Sequence, residues 1–451
     1  MIILLRNLFL PILILLFVSS CNLTSERRDP NVLLIVIDTL RADHLGCYGY
    51  EKTTSPNIDK FSKTGVQFQN VYCQMPTTGP SHASIFTSRY PRNHGVLKNG
   101  WILSDTFQTI AEILKSNGYT TSAIISSFVL SSQFGYSQGF DNYDEAFPKG
   151  SSTYRGKFWE GRKLEGEFDQ RADIATRKAI NWMRQNSTGK FFLWVHYFDP
   201  HSPYDPPQPY VKDFLRKDMS PIKKIVAKYD GEIRFVDDEV GKLLNEVESL
   251  GLDSNTLIII TSDHGEGLGQ HGWMEHGMFL YDEQTRIPLI MRFPDLIPEN
   301  RTINTVIESI DIAPSILDML GLAQEKGFSG KSFLPTIQGK EPSSLQTAFI
   351  ERRQYKAGKY RNVKVRGNKF AVRDKYLKYI WAPEEGTNEL YKLDKDIKEL
   401  YNVAQESPHI ADKLEQMVKL WRNEQETPES LVEQSIDQKN LNKLQSLGYV
   451  E

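Results

Sequence analysis

Asn31–Ile37 reads Asn-Val-Leu-Leu-Ile-Val-Ile, an unbroken apolar and β-branched run. Such a run predicts a strand covered on both faces. Similar runs recur at Thr121–Ile125, Phe191–Tyr197, Thr256–Thr261 and Ile287–Phe293. Between them, apolar residues fall at helical spacing over Thr106–Asn117, Asp169–Gln185 and Tyr229–Leu250. Strands alternating with helices predict an α/β fold: a mostly parallel central sheet flanked by helices. From residue 345 the texture changes to short alternating segments at Asn362–Val365, Phe370–Val372, Tyr376–Trp381 and Glu389–Leu393. A helical stretch near Pro408–Trp421 follows, so a smaller C-terminal α+β subdomain is expected. The expected organisation is a main domain over 31–344, that subdomain over 345–426, and a polar tail over 427–451.

The first 21 residues follow a different logic. One basic residue (Arg6), an apolar stretch Leu8–Val18 and the small residues Ser19-Ser20 precede Cys21. This predicts a signal peptide over 1–20, and Pro11 and the short run argue against a membrane-spanning helix. Val-Ser-Ser-Cys resembles the bacterial lipobox, in which the cysteine is lipidated and becomes the first mature residue; an uncleaved anchor is the alternative. Residues 22–30 would be a polar tether. The expectation is a cell-envelope lipoprotein held on a membrane through Cys21, periplasmic or surface-facing.

Composition narrows the class. The 451 residues are 39% hydrophobic and 25% charged, as in globular chains. Fifty-four basic against 57 acidic residues give a net charge of −3, so a dedicated nucleic-acid binder is not expected. Three cysteines are too few for a disulfide scaffold or a cysteine-built zinc site. Cys47 and Cys73 either pair or stay as small buried side chains.

Ligands of open α/β sheets gather beyond the carboxyl ends of the strands. Two predicted strands end there in chemistry, Ile37 in Asp38 and Thr261-Ser262 in Asp263-His264. A lone Asp after a strand is usually a turn or cap residue; two such ends, one carrying Asp-His, point to a site. A third element is Pro76-Thr-Thr-Gly-Pro-Ser-His-Ala-Ser-Ile-Phe86. Thr78 reads as an N-cap, or as a hydroxyl at a helix N-terminus where backbone N–H groups favour an oxyanion.

The run Asn31–Tyr50, followed by Thr54-Ser-Pro-Asn-Ile-Asp59, resembles the opening of the sulfatases. So do Pro80-Ser-His-Ala-Ser-Ile-Phe-Thr-Ser-Arg-Tyr-Pro91, Phe198-Asp-Pro-His-Ser-Pro-Tyr204 and Ser262-Asp-His-Gly-Glu-Gly-Leu-Gly-Gln-His-Gly272. Arg286-Ile-Pro-Leu-Ile290, Ser309-Ile-Asp-Ile-Ala-Pro-Ser315 and Glu389-Leu-Tyr-Lys-Leu-Asp-Lys-Asp396 agree in order and spacing, across residues 31–420. The resemblance is to the sulfatase and alkaline-phosphatase superfamily. It implies an alkaline-phosphatase-like fold and a catalytic domain over 31–344. It also implies one divalent metal held by Asp38, Asp263, His264 and Thr78, with Thr78 as nucleophile. His201 resembles the histidine of the leaving group, suited to general acid work. His82, four residues after Thr78, could contact the anion; His276 and His271, flanking the metal loop, could bind substrate oxygens or a second metal.

Departures from the pattern set the expected chemistry. Sulfatases carry a Cys or Ser in Cys-x-Pro-x-Arg that is converted to formylglycine; this chain has Thr78-Gly-Pro-Ser-His82, which that route cannot convert. Thr39 stands where many sulfatases have another metal-binding Asp, and His276 where they place a Lys. A threonine ester must be resolved by water, which phosphorus esters allow beside a metal. His264 in the ligand set favours Zn²⁺ or Mn²⁺, with Ca²⁺ or Mg²⁺ as alternatives. The expected activity is a metal-dependent hydrolase acting on a phosphate or phosphonate ester of a small molecule, lipid or glycan. The alternatives are a sulfatase working without formylglycine, a phosphotransferase, and a non-catalytic anion-binding relative. Eight of the nine histidines lie in or beside these motifs; His44, His94 and His196 are read as structural. Arg41-Ala-Asp43, Asp237-Asp-Glu239 and Glu351-Arg-Arg353 are read as helix faces or solvated loops.

Overall fold

A computed structural model describes residues 30–150, 158–159, 162–163, 167–340, 346–360 and 363–425. The expected signal peptide, Cys21, the tether up to residue 29 and the 427–451 tail lie outside the described residues. Among the described residues no helix is long and apolar enough to cross a membrane.

The central sheet holds β1 (Asn31–Ile37), β2 (Val66–Tyr72), β3 (Thr120–Ile124), β4 (Asn142–Asp144), β5 (Phe191–Tyr197), β6 (Thr256–Ser262), β7 (Arg286–Arg292) and β8 (Arg301–Glu308). The order is β8-β2-β7-β6-β1-β5-β3-β4, and every pairing is parallel except those of β7. Strand β1 shows why its sequence is apolar throughout. Val32, Leu34 and Val36 face one core with Ala83, Phe86, Leu114 and Ile316. Leu33, Ile35 and Ile37 face the other with Ile58, Ala175, Val236 and Val240. Helices α1 (Pro56–Ser62), α2 (Thr78–Thr87), α3 (Ile110–Ser116), α4 (Ala172–Asn186), α5 (Pro221–Ser249) and α6 (Ile312–Met319) supply those two layers.

Three helix starts differ from expectation, α4 beginning at Ala172 instead of Asp169, and the other two for local reasons. Helix α3 begins at Ile110 instead of Thr106, because Thr109 and Glu112 close a capping box. Helix α5 begins at Pro221, eight residues before the apolar pattern tightens, with Ser220 capping it. Its first turns carry an exposed Ile222, so burial gave no signal there.

The C-terminal part is an antiparallel sheet of β9 (Ala348–Tyr360), β10 (Val363–Arg373), β11 (Leu377–Ala382) and β12 (Thr387–Lys392), paired in that order. Helix α7 (Pro408–Glu424) covers it through Ala411, Leu414, Val418 and Trp421. Asn362–Val365 and Phe370–Val372, expected as two segments, belong to one strand, though Asn362 itself lies outside the described residues. Three charged stretches read as helix faces or solvated loops carry buried side chains. Arg352 is fully buried on β9, its guanidinium on the carbonyls of Met278 and Gly367 and on Glu385. Asp237 is buried and accepts the N–H groups of Asn57 and Ile58 at the start of α1. Arg41 is buried against Asp43. Cys47 and Cys73 are both free thiols.

Candidate active site

Strand register assembles the site. Ile37 of β1 pairs with Ser262 of β6 on one side and with Tyr197 of β5 on the other. The next residues, Asp38, Asp263-His264 and the loop to His201, therefore leave the sheet edge side by side. Thr39 takes a left-handed φ of 56° immediately after Asp38, a conformation that costs a β-branched residue energy and persists where surrounding contacts hold it. Here its N–H donates to Asp263 Oδ1 at 3.2 Å, while its hydroxyl turns back to the Asp38 carbonyl at 2.7 Å. Gly265 follows His264 because a Cβ there would lie 2.2 Å from the Glu283 carbonyl oxygen.

Helix α2 brings the hydroxyl. It starts at Thr78, with Thr77 at the N-cap, so Thr78 is the first helical residue and not the cap. Ser81 ties the helix to the metal loop by donating to the Asp263 carbonyl at 2.6 Å, and Asn99 accepts the Gly79 N–H at 2.7 Å. Thr78 Oγ1 then lies 3.3 Å from His264 Nε2. His264 donates through Nδ1 to the Gly265 carbonyl at 2.9 Å, which leaves Nε2 as an acceptor or ligand.

Asp38, Asp263 and His264 are wholly buried, and one ligand atom from each lies within 4.8 Å of the others. Both oxygens of Asp38 and Oδ2 of Asp263 have no hydrogen-bond donor. Buried carboxylates without donors are costly unless neutralised. Burial, with Asp263 and Glu266 nearby, pushes the Asp38 carboxyl well above its usual range. Three orphaned carboxylate oxygens, an imidazole lone pair and a hydroxyl fit a divalent cation.

Imidazoles surround this core. His82 sits one turn along α2, fully buried, with Nδ1 on the Thr78 carbonyl at 2.8 Å and 3.7 Å from Asp263 Oδ2. His276 meets the His264 ring at 4.3 Å and the His201 ring at 5.1 Å between centroids. Glu275 takes a φ of 76° to turn it inward. His201 stacks on Phe198 and donates through Nδ1 to the Ser202 carbonyl at 2.5 Å. Burial pushes His201 and His276 each down to about 4, with His276 adding to the effect on His201.

Two neighbours escaped the sequence reading. His196, read as structural, places Nε2 3.6 Å from Asp38 Oδ2. Glu266, fully buried, lies with Oε1 3.2 Å from His276 Nδ1, and burial pushes it up to about 7. Its place two residues after His264 in Asp-His-Gly-Glu was the signal available. His271 does not join the cluster. Its ring nitrogens are engaged by Glu283 at 2.6 Å and the Glu399 carbonyl at 3.0 Å, and it stacks on Tyr281. Neither nitrogen is left for substrate, so the expected substrate contact is replaced by a link to the C-terminal segment. His44 contacts Asp230 at 2.8 Å and His94 contacts Ser84 at 3.0 Å.

Comparison with known proteins identifies the family. The family model described as Sulfatase matches residues 30–322. The chain belongs to the sulfatase family. A second model, N-sulphoglucosamine sulphohydrolase, C-terminal, matches residues 269–426. This sulfatase-family chain is 26% identical to the N-acetylglucosamine-6-O-sulfatase of Bacteroides thetaiotaomicron over 76% of its own length and 77% of that protein. Two solved structures share the fold. BT4656, in complex with its substrate D-glucosamine-2-N,6-O-disulfate, matches with a TM-score of 0.74 at 22% identity, covering 90% of this chain and 99% of that one. The phosphonate monoester hydrolase of Agrobacterium radiobacter matches with 0.71 at 24% identity, covering 87% and 95%. The sulfatase-family assignment makes the protein an ester hydrolase of a group whose members bind a divalent metal.

Proposed function

We propose that this sulfatase-family hydrolase transfers a phosphoryl or phosphonyl group, with Thr78 as the nucleophile. The observation that carries the reading is the Thr78 hydroxyl itself, buried at the N-terminus of α2 and 3.3 Å from His264 Nε2 beside two donor-less carboxylates. A divalent cation held by Asp38, Asp263, His264 and Thr78, with Zn²⁺ or Mn²⁺ favoured by the one-imidazole, three-oxygen set, would polarise the ester and neutralise developing charge. Thr78 Oγ1 attacks phosphorus in line as its hydroxyl proton passes to solvent, and the bond to the leaving oxygen breaks as the imidazolium form of His201 gives that oxygen its proton. The α2 N-terminus lowers the cost of negative charge beside Thr78. Water then displaces Thr78 Oγ1 from phosphorus, His201 takes the proton of that water, and Thr78 recovers a proton from solvent. The substrate is an ester on a small molecule, lipid or glycan. The protein works in the cell envelope, held to a membrane by lipidated Cys21, and loss of palmitate labelling in Cys21→Ser tests that anchor.

Sulfuryl transfer is the competing reading, favoured by the sulfatase names of its relatives. One panel separates the two. The full-length protein with Mn²⁺ or Zn²⁺ receives 4-nitrophenyl phosphate, bis(4-nitrophenyl) phosphate, 4-nitrophenyl phenylphosphonate and 4-nitrophenyl sulfate. The proposal expects turnover of phosphorus esters that vanishes in Thr78→Ala, while bound metal measured by mass spectrometry persists. Turnover of the sulfate alone, or full activity of Thr78→Ala, would contradict it.

A further inference from the structure

A cavity of about 580 Å³ opens where residues 397–400 come against the main domain, and it is lined by residues other than Asp38, Thr78, Asp263 and His264. That volume falls within the range of small-ligand sites, roughly 300–1,000 Å³. Its charges sort into two kinds. Each carboxylate in the lining is bound by a basic side chain. Asp43 is gripped by buried Arg41 at 2.9 and 2.7 Å. Asp282 and Glu399 meet fully buried Lys378 at 2.8 Å, and Glu283 meets His271 at 2.6 Å. The guanidinium of Arg286 is held by neutral groups instead: Nε donates to the Gln69 carbonyl at 2.9 Å and Nη2 lies 3.5 Å from Gln69 Oε1. Lys398 adds an exposed ammonium to the same lining. Apolar surface completes it, with Val226 from α5 and, at the rim, Ile397 and Leu400, left 56% and 54% exposed. Two large apolar side chains kept in water forgo burial that an apolar ligand would supply. The segment holds this pose through Glu399, whose left-handed φ of 55° is a strained conformation of the kind that clusters at ligand sites. It turns its carboxylate onto Lys378 and the Asp282 N–H, while its neighbours Lys398 and Leu400 line the cavity.

We propose that this cavity is a second ligand site, taking an organic anion with an apolar body. The anionic head, a carboxylate or phosphate, meets Arg286 and Lys398, and the body lies against Val226, Ile397 and Leu400. Charge-assisted bonds from a guanidinium and an ammonium orient the head, and removing the body from water supplies affinity. The site stands whichever ester the enzyme cleaves, because Thr78 and the residues placed around the metal take no part in it.

The first probe is 4-benzoylbenzoate, an aromatic carboxylate that crosslinks to neighbouring C–H bonds on irradiation. Full-length protein is irradiated with it in the presence of a chelator, so that no metal at the catalytic centre draws the anion, then digested and mapped by mass spectrometry. Labels are expected on Val226 or on residues 397–400. They should be lost on competition with 4-tert-butylbenzoate and kept with 4-tert-butylbenzylamine, which has the same body and the opposite charge. Calorimetry with 4-tert-butylbenzoate should show one site whose affinity falls about tenfold in Lys398→Ala and in Arg286→Gln, the size of one charge-assisted contact. Leu400→Ser should weaken it as well, through the apolar side. Lys398 and Leu400 are exposed, so those two variants keep the test decisive even if Arg286→Gln does not fold. Labels confined to other peptides, equal competition by the amine, or unchanged affinity in Lys398→Ala and Leu400→Ser would overturn the proposal. So would the absence of 4-tert-butylbenzoate binding at millimolar concentration.

Discussion

Two buried charge clusters in this protein solve the same problem in opposite ways. At the ends of β1 and β6, Asp38 and Asp263 keep three oxygens without a donor. Where β11 meets the main domain, Glu399 is buried and Asp282 mostly so, but Lys378 reaches both at 2.8 Å and Arg373 lies 3.7 Å from Asp282. The Glu399 carboxylate also accepts the Asp282 N–H at 2.6 Å. Lys378 is fully buried, so this second cluster carries its own cation as part of the chain. At the first, among the described residues, no lysine or arginine pairs with the carboxylates, and the site fits a cation from outside. A buried carboxylate is therefore informative mainly through what neutralises it.

Breaking the contrast at the first cluster has the largest effect. Asp38→Asn is expected to lower turnover by at least about a thousandfold, several kcal/mol of lost charge stabilisation. With a chelator present the same variant should unfold at a higher temperature than wild type, because it removes an uncompensated buried charge. In excess Mn²⁺ the order should invert, since only wild type gains the binding term. Thermal melts under both conditions check this, and a variant less stable than wild type in chelator would break the comparison.

At the second cluster the expected sign is reversed. Lys378→Met strands Asp282 and Glu399 and should cost about 3–5 kcal/mol, the usual penalty for removing one partner of a buried ion pair. Urea denaturation should show the same loss with and without metal. Within the active site, His201→Ala should reduce turnover of an alkyl ester by about 10²–10⁴, the range of general acid catalysis. Esters of 4-nitrophenol should lose much less, because that leaving group needs no proton.

The smallest effect concerns a third device, a carboxyl that keeps its proton. Burial, with Asp311 beside it, pushes Glu308 up to about 8, and it accepts from Tyr90 and the Phe349 N–H. The folded state holds that proton where the unfolded chain has released it, so stability falls as pH rises from about 4.5 towards 8. Glu308→Gln should flatten this slope and gain about 1–2 kcal/mol at pH 8, read from denaturation midpoints across pH.

Much of this was legible in the sequence where burial leaves a periodic trace. The runs of β1, β5, β6 and β7 face core on both sides and read as strands without help. β2 and β8 went unnamed because polar residues interrupt them, as in Val-Gln-Phe-Gln-Asn-Val-Tyr, whose Gln69 and Asn70 are only partly buried. Charged β9 was hidden for a related reason: Arg352 is neutralised by carbonyls and Glu385, contacts that no local pattern announces. At the site, strand ends and motif spacing pointed to Asp38, Thr78, Asp263 and His264. What spacing could not show was that Glu266 stands behind His276, or that His271 turns away to Glu283, because both depend on how a loop folds back across the sheet edge.

The central claim, that Thr78 carries the transferred group, is open to one direct measurement. Full-length protein with Mn²⁺ turning over bis(4-nitrophenyl) phosphate would be quenched in acid, digested and mapped by mass spectrometry. The account predicts a nitrophenyl phosphoryl increment on the peptide containing Thr78, placed on that residue by fragmentation and missing in Thr78→Ala. An increment on a different residue, or turnover by Thr78→Ala at the wild-type rate, would contradict it.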